Sequence, residues 1–498
     1  MFFRITNGIF ILYILLFLQL HGCANPDPGS IKFGLNAAPV TLDPRYDTDA
    51  ASSRINRLIY ARLVDFDQNF NVVPSLATWR VISPTHYRFT LGKHDRRFHN
   101  GDYLTAQDIK ATYESVLDKN TASPHRATLA DIDRIIAVNP DEVDFYLKKP
   151  DLLFPGKLVI GIMPSGLIDI HHPFNRKPVG SGNFRLVNWS REDKISLIRS
   201  SDRQAIEFIT VKDPTVRVLK LLRGEVDLIQ GDLSPEVIEW LDNREEVSVS
   251  RQRGNTFTYL GFNMLDKDTG NIDVRKAIAY AIDRNKVIRH VLDDTARVAG
   301  AILPPDHWSG HKTLTGYSYN PDKARLLLQN SGYDAQNPLH IIYKTSNNPL
   351  RLRLATIFQF QLKQVGIDLE IQSYDWGTFY ADIKSGRFQL YGLSWVGLNM
   401  PDIFRYVYHS SSIPPVGANR GRFLDSHADA LIEAAEITDG LKQQSEIYRQ
   451  LQEYLYERLP YIPLWYEDNV VVTRKNIDGY HLTINGNYDG LQTVTRRH

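Results

Sequence analysis

Residues 58–79 read LIYARLVDFDQNFNVVPSLATW, and the fold is decided by the phrases that follow this one in order. Tyr87-Arg88-Phe89-Thr90-Leu91 comes next, then Arg97-Phe98-His99-Asn100-Gly101-Asp102 and Leu104-Thr105-Ala106-Gln107-Asp108. Further on stand Pro178-Val179-Gly180-Ser181-Gly182-Asn183-Phe184 and Leu222-Arg223-Gly224-Glu225-Val226-Asp227. The last are Gly261-Phe262-Asn263, Asp273-Val274-Arg275-Lys276-Ala277-Ile278 with Ala281-Ile282-Asp283-Arg284, and Leu459-Pro460-Tyr461-Ile462-Pro463-Leu464. Local signals place these phrases on elements. Thr105 to Asp108 has the form of a capping box, and Ile109, Tyr113, Val116 and Leu117 follow at helical spacing. Asn320-Pro321 opens another helix and Gly332 closes it. Amphipathic helices are predicted over 273–292, 351–364 and 441–459, and strands over 88–91, 208–211, 256–262 and 369–371. Gly180-Ser181-Gly182 reads as tight turns and 281–284 as a helix end. This mixture predicts α/β or α+β domains.

The N-terminus reads as a targeting segment. Arg4 precedes the apolar run 9–20 (IFILYILLFLQL), which is shorter than the roughly 20 residues a membrane-spanning helix needs and fits a secretory signal. Leu20-His21-Gly22-Cys23 follows, and Cys23 is the only cysteine in the chain. The motif resembles the lipobox of bacterial lipoproteins, in which the cysteine is acylated and becomes the new N-terminus. His21 departs from that pattern. The resemblance implies a signal peptide at 1–22, lipid attachment at Cys23, a short spacer at 23–30, and a chain held at the periplasmic side of a bacterial membrane. A body without cysteine has no disulfide framework.

The chain has 498 residues, which suggests two or three domains at about 150 residues each. A net charge of +1 gives no basic face for nucleic acid. Enzyme signatures are missing: no phosphate loop, dinucleotide fingerprint, His-Glu-x-x-His helix or Gly-x-Ser-x-Gly elbow is present. Ser309-Gly310-His311-Lys312 matches Ser-x-x-Lys but follows Pro304-Pro305 where a helix start is required. His171-His172 lacks the further ligands of a metal site and reads as a loop pair. Neither catalysis nor a cofactor is expected.

Taken together, the ordered phrases resemble the oligopeptide/dipeptide-binding class of bacterial extracellular solute-binding proteins, the receptors of ABC importers. The likeness spans nearly all of the chain from Ile31. It implies a two-lobed, periplasmic-binding-protein-like α/β fold with mixed sheets. The first lobe falls at 31–74, 179–262 and 468–498, an extra subdomain at 75–178, and the second lobe at 263–467. Crossings near Phe262 and Asp468 form the hinge. It also implies a monomer that takes a peptide-like small solute and partners ABC permease subunits. A rival reading is an interaction or chaperone-like lipoprotein on the same fold without an importer.

The resemblance names ligand positions as well. Peptide binders of the class carry an aspartate after a Gly-Trp strand, to pair with the ligand's α-amino group. Here the strand reads Ser394-Trp395-Val396-Gly397-Leu398-Asn399, with Leu398 at the aspartate's place. A buried ammonium without a counter-charge is costly, so Leu398 disfavours a free peptide N-terminus. Asp402 is the nearest carboxylate, and reads as a helix cap more readily than as a ligand contact. Where the class has Glu-Gly after the aromatic residue of the first phrase, this chain has Ala61-Arg62 after Tyr60. Arg62 either meets an anionic ligand group or is a surface arginine. Trp395, Trp465 and Tyr466 match positions that line the cleft, and such side chains are as often core. The backbone at 394–398, with Gly397, is expected to bond an extended ligand as an added strand.

Overall fold

The structure is a computed structural model and describes residues 29–93, 96–190 and 194–497. The expected signal segment 1–22, Cys23 and all but the last two residues of the expected spacer lie outside the described residues. Among the described residues no helix is long and apolar enough to cross a membrane.

One 11-stranded mixed sheet runs through the molecule. Two long antiparallel strands, Val247–Phe262 and Tyr461–Arg474, form its middle. On one flank Tyr461–Arg474 pairs with Leu228–Gln230, and that strand leads to Ile31–Leu35, Ala205–Thr210, Lys194–Arg199 and Phe184–Ser190. On the other flank Val247–Phe262 pairs with Leu390–Trp395, which leads to Leu339–Ser346 and Ile367–Tyr374. A separate four-stranded sheet, from Ala77–Ser83 to Glu142–Leu147, packs with the helix Ala106–Leu117 around Phe89, Tyr113 and Phe145.

The pairing between the two long strands breaks between Gln252 and Thr256, opposite Glu467 to Asn469. Gly254 sits at the break because a Cβ there would stand 2.2 Å from the Glu467 carbonyl oxygen. Before the break, Val247 packs with Val218 and Leu221; after it, Phe257 and Tyr259 pack with Phe404 and Tyr408. The change of core therefore falls at 252–256 on this strand, ahead of the crossing expected near Phe262. Phe262 itself is buried with Val274 and Ile278.

The phrases are fold locks. Gly180 and Gly182 lie against the end of the helix Ala50–Ile59, where a Cβ on either would come within 2.1–2.4 Å of the Ile59 or Leu58 carbonyl. Neither has a positive φ, so close approach rather than a turn requires glycine. His99 joins the same spot, its N–H donating to the Gly180 carbonyl at 2.8 Å. Arg275 donates to the carbonyls of Leu459, Thr269, Gly270 and Arg458 at 2.7–3.1 Å, and Arg284 donates to Pro463 at 3.1 Å. The helix phrases and the Leu459–Leu464 phrase are thereby tied. Asp227 accepts from the Lys32 N–H at 2.8 Å and from Arg496 at 2.5 Å, while Arg496 also donates to the Ser30 carbonyl at 2.8 Å.

Capping follows the sequence. The Thr105 N–H donates to Asp108 at 2.8 Å, and Asn320 accepts from the Lys323 N–H at 2.9 Å. The helix expected over 273–292 is two, Ile272–Ala281 and Arg284–Val291, because Asp283 caps the second by accepting from the Lys286 N–H.

Candidate functional site

The strand Leu390–Trp395 has one covered and one open edge. Along its covered edge it pairs with Val247–Phe262 as far as Trp395, opposite Phe257. Along the other, Leu339–Ser346 pairs only with Leu390 and Tyr391. From Gly392 onward that edge has no strand neighbour among the described residues, and it runs into the loop at Val396, which is exposed. Gly397 has φ +69°, and nothing lies within 4 Å of where its Cβ would be.

Alternation on this strand sends its side chains to two faces. On one face the Ser394 hydroxyl is 2.6 Å from that of Thr258, whose hydroxyl donates to Glu467 at 2.5 Å. Arg351 donates to the same Glu467 oxygen at 3.2 Å and to Ser394 at 3.3 Å. It reaches them from the first turn of the helix Pro349–Lys363, which Asn348 caps. This face carries a cation already balanced by an anion.

The opposite face differs. The Arg420 guanidinium lies over the Trp395 ring, 4.6 Å from its centroid, and donates to the Tyr259 hydroxyl at 3.1 Å and the Tyr380 hydroxyl at 3.2 Å. Arg420 is 6% exposed, and among the described residues no carboxylate lies within 4.0 Å of it. A guanidinium stays cationic even when buried. Its Nε is buried without an acceptor, as is Nε1 of Trp395. Tyr406 closes the edge of the Trp395 ring at 6.1 Å.

Contacts between the lobes surround this strand end. The Leu398 carbonyl accepts from Asn255 at 2.8 Å. The Leu398 side chain is buried in a cluster with Met400 and Leu153 of the extra subdomain. His307 accepts from the Ser309 N–H at Nδ1, so Nε2–H donates to the Asn399 carbonyl at 3.0 Å. The ring of Phe70, 1% exposed, lies 5.0 Å from that of His307. Glu236 pairs with Arg353 across the same divide.

Several sequence expectations need correction here. Tyr60 is buried behind the site, packed on Gly161 and Gly180, and its hydroxyl donates to the Leu42 carbonyl at 3.0 Å. Arg62 is neither a surface arginine nor free for an anion: it donates to Asp65 at 2.7 Å, a carboxylate shared with Arg57. Burial and Arg57 bring its pKa down to about 10. Trp465 is core, with its ring against Phe358. Tyr466 is core on the other side, donating to the carbonyls of Ala301 and Leu303. Asp402 stands at the N-cap of Ile403–Tyr408, but its side chain accepts no capping bond. Trp395, Gly397 and Leu398 are the expected positions that the structure brings to the strand end.

Sequence reasoning missed Arg351, Glu467 and Arg420. The Asn348-Pro349 cap marks the helix that presents Arg351; no periodicity marks Arg420, which follows an irregular loop. Ser309 is buried against His307. His172 is within 2.7 Å of the Lys177 carbonyl. Among the described residues no cluster of three or more His, Cys, Asp or Glu side chains is placed to hold a metal.

The chain is similar to known proteins over most of its length. The family model of bacterial extracellular solute-binding proteins, family 5 (middle), matches residues 71–414. Di/tripeptide-binding protein 2 of Pseudomonas aeruginosa (strain UCBPP-PA14) is 26% identical, over 95% of this chain and 96% of its own length. The oligopeptide-binding protein AppA from Bacillus subtilis, solved with a nonapeptide, superposes with a TM-score of 0.84 at 24% identity, covering 94% of this chain and 99% of that one. NikZ from Campylobacter jejuni, solved with Ni(L-His), also gives 0.84 at 24% identity, covering 95% of this chain and all of that one.

Proposed function

The chain belongs to the bacterial extracellular solute-binding proteins, family 5, and from that premise we propose that it is the receptor of an ABC importer for a peptide or peptide-like solute. The carrying observation is the open edge of Leu390–Trp395 beyond Tyr391. An extended solute laid there bonds main chain to main chain, as an added strand does, with Gly397 leaving room beside it. The names of the di/tripeptide- and oligopeptide-binding relatives support the class of solute.

In this reading Trp395, Gly397 and Leu398 face the solute. Leu398 sits among apolar side chains, which supports a solute whose amino end is blocked or absent. The break at 252–256 and 467–469 is the hinge, and contacts such as Phe70 on His307 close the lobes. No bond is made or broken in the solute. The chain is exported by 1–22, held to the membrane by lipid on Cys23, and works as a monomer beside permease subunits.

Native mass spectrometry of the full chain purified from its host tests the reading. A retained peptide-like mass, released on unfolding, is the expected result. A protein that is empty from the host and fails to bind any of a broad panel of di- to nonapeptides overturns it.

A further inference from the structure

We propose that Arg420 is an anion-binding residue of the solute site, so that the transported solute presents a carboxylate to the Trp395 face of the strand end. The inference rests on the receptor reading above and narrows its solute. It starts from how this chain treats its other buried guanidinium groups. Arg57 meets Asp65 and Asp489, Arg199 meets Asp202, and Arg217 meets Asp232. Arg275, which lacks a carboxylate, donates to main-chain carbonyls from all three of its nitrogens, and Arg284 donates to the Pro463 carbonyl while its Nη2 is buried without an acceptor. Arg420 has neither. Its acceptors are two neutral phenols, and its Nε has none.

A buried cation left without a counter-charge is destabilising by several kcal/mol, and a buried donor without an acceptor adds to that. Such an arrangement is stable in a receptor when the missing acceptor arrives with the solute. The second observation is Trp395 Nε1, also buried without an acceptor, on the side chain in cation–π contact with Arg420. Two N–H donors without acceptors on a stacked pair of side chains suit an acceptor group with more than one oxygen. The location is right for a solute group. Trp395 ends the strand whose open edge is proposed to take the solute backbone, and the neighbouring Val396 and Tyr406 are exposed. Arg351, on the other face, is already balanced by Glu467, so it is Arg420 that carries uncompensated charge. Leu398 and Arg420 together give the strand end a preference: a positive end is disfavoured and a negative one is drawn in.

The test uses the full chain and two probe pairs. In calorimetric titration, N-acetyl-Ala-Leu-Ala with a free carboxylate should bind wild type at least about 30-fold more tightly than its C-terminal amide, as expected for a buried charged hydrogen bond. Arg420→Gln should abolish the difference, and Arg420→Lys should retain part of it. In thermal unfolding, acetate should raise the midpoint of wild type relative to equal chloride, and should not raise that of Arg420→Gln; acetamide should raise neither. If acid and amide bind wild type equally and Arg420→Gln changes neither, the proposal is overturned while the receptor reading stands. If neither peptide binds but acetate still separates wild type from Arg420→Gln, the anion site stands and the peptide reading falls. If neither probe pair separates the two proteins, Arg420 is a structural cation. Where Arg420→Gln fails to fold, equal binding of acid and amide by wild type still overturns the proposal, and Arg420→Lys carries the assignment to Arg420.

Discussion

Removing the Phe70 ring should open the lobes. Phe70 is buried to 1% exposure, and its ring contact is His307, 5.0 Å away in the other lobe. Burying a phenylalanine side chain gives about 2–3 kcal/mol, and an aromatic pair adds roughly 0.5–1.5 kcal/mol. Phe70→Ala should therefore shift the equilibrium toward open lobes by about 3 kcal/mol, or about 150-fold. Phe70 also sits at φ +64°, a conformation that costs a residue with a Cβ about 1 kcal/mol and glycine almost nothing. Phe70→Gly should accordingly lose the same ring contact but be slightly more stable to unfolding than Phe70→Ala, because the local turn from Asp67 to Asn71 sets this φ. Small-angle scattering gives the radius of gyration, and urea unfolding gives stability in the same samples. The expected result is a larger radius for both variants, little change in the unfolding midpoint of Phe70→Ala, and a slightly higher midpoint for Phe70→Gly. An unchanged radius with a lost stability of about 3 kcal/mol would refute the reasoning, because Phe70 would then be ordinary core of its own lobe.

Other outcomes follow from single groups. Burial takes the His307 pKa down to about 4 from the ordinary 6.5, so the neutral ring belongs to the folded state. Its contribution is complete above pH 6.5 and is lost as pH falls from 6.5 toward 4, by about 3 kcal/mol in all; urea unfolding across that range should show the slope, and His307→Gln should flatten it. Leu398→Asp should bind free-amine Ala-Leu-Ala at least about 10-fold more tightly than wild type in calorimetry, through a charged hydrogen bond of roughly 1.5–3 kcal/mol, while lowering the unfolding midpoint. Arg275→Gln should destabilise the fold by about 3 kcal/mol, since it strips donors from buried carbonyls; an unchanged midpoint would show that the Leu459–Leu464 phrase is held by other means. Gly182→Ala should lower the unfolding midpoint for want of room against the Leu58 carbonyl.

The fold was legible because each phrase carries a residue whose role is fixed by backbone geometry. Gly180 and Gly182 admit a helix end, Arg275 gathers carbonyls, and Asp227 pins both a strand N–H and Arg496. These demands admit few substitutes and so leave a readable order. The site was less legible. Trp465 and Tyr466 were expected to line the cleft, but the strand Tyr461–Arg474 is buried on both faces through Tyr466. Alternation there only decides which core each ring joins, Trp465 with Phe358 and Tyr466 with Phe257. Arg62 looked free because Asp65 follows it by one helical turn's spacing, but on a strand, where no periodicity rule pairs the two. Arg420 comes from an irregular segment, and its meaning lies in the carboxylate it lacks. Sequence shows what a residue is, and only packing shows what is missing around it.

The clasp of Ser30, Asp227 and Arg496 has a consequence for the order of the chain. Residues near both ends of the described body are fastened together, at 2.8 Å from the Ser30 carbonyl to Arg496. The described body is therefore close to a closed loop. A circular permutant joined through this clasp and cut at an exposed turn of the second lobe should keep every lock described above. In the natural order, the second lobe enters and leaves through the two long strands alone, so whatever grips the ends leaves that lobe free to swing.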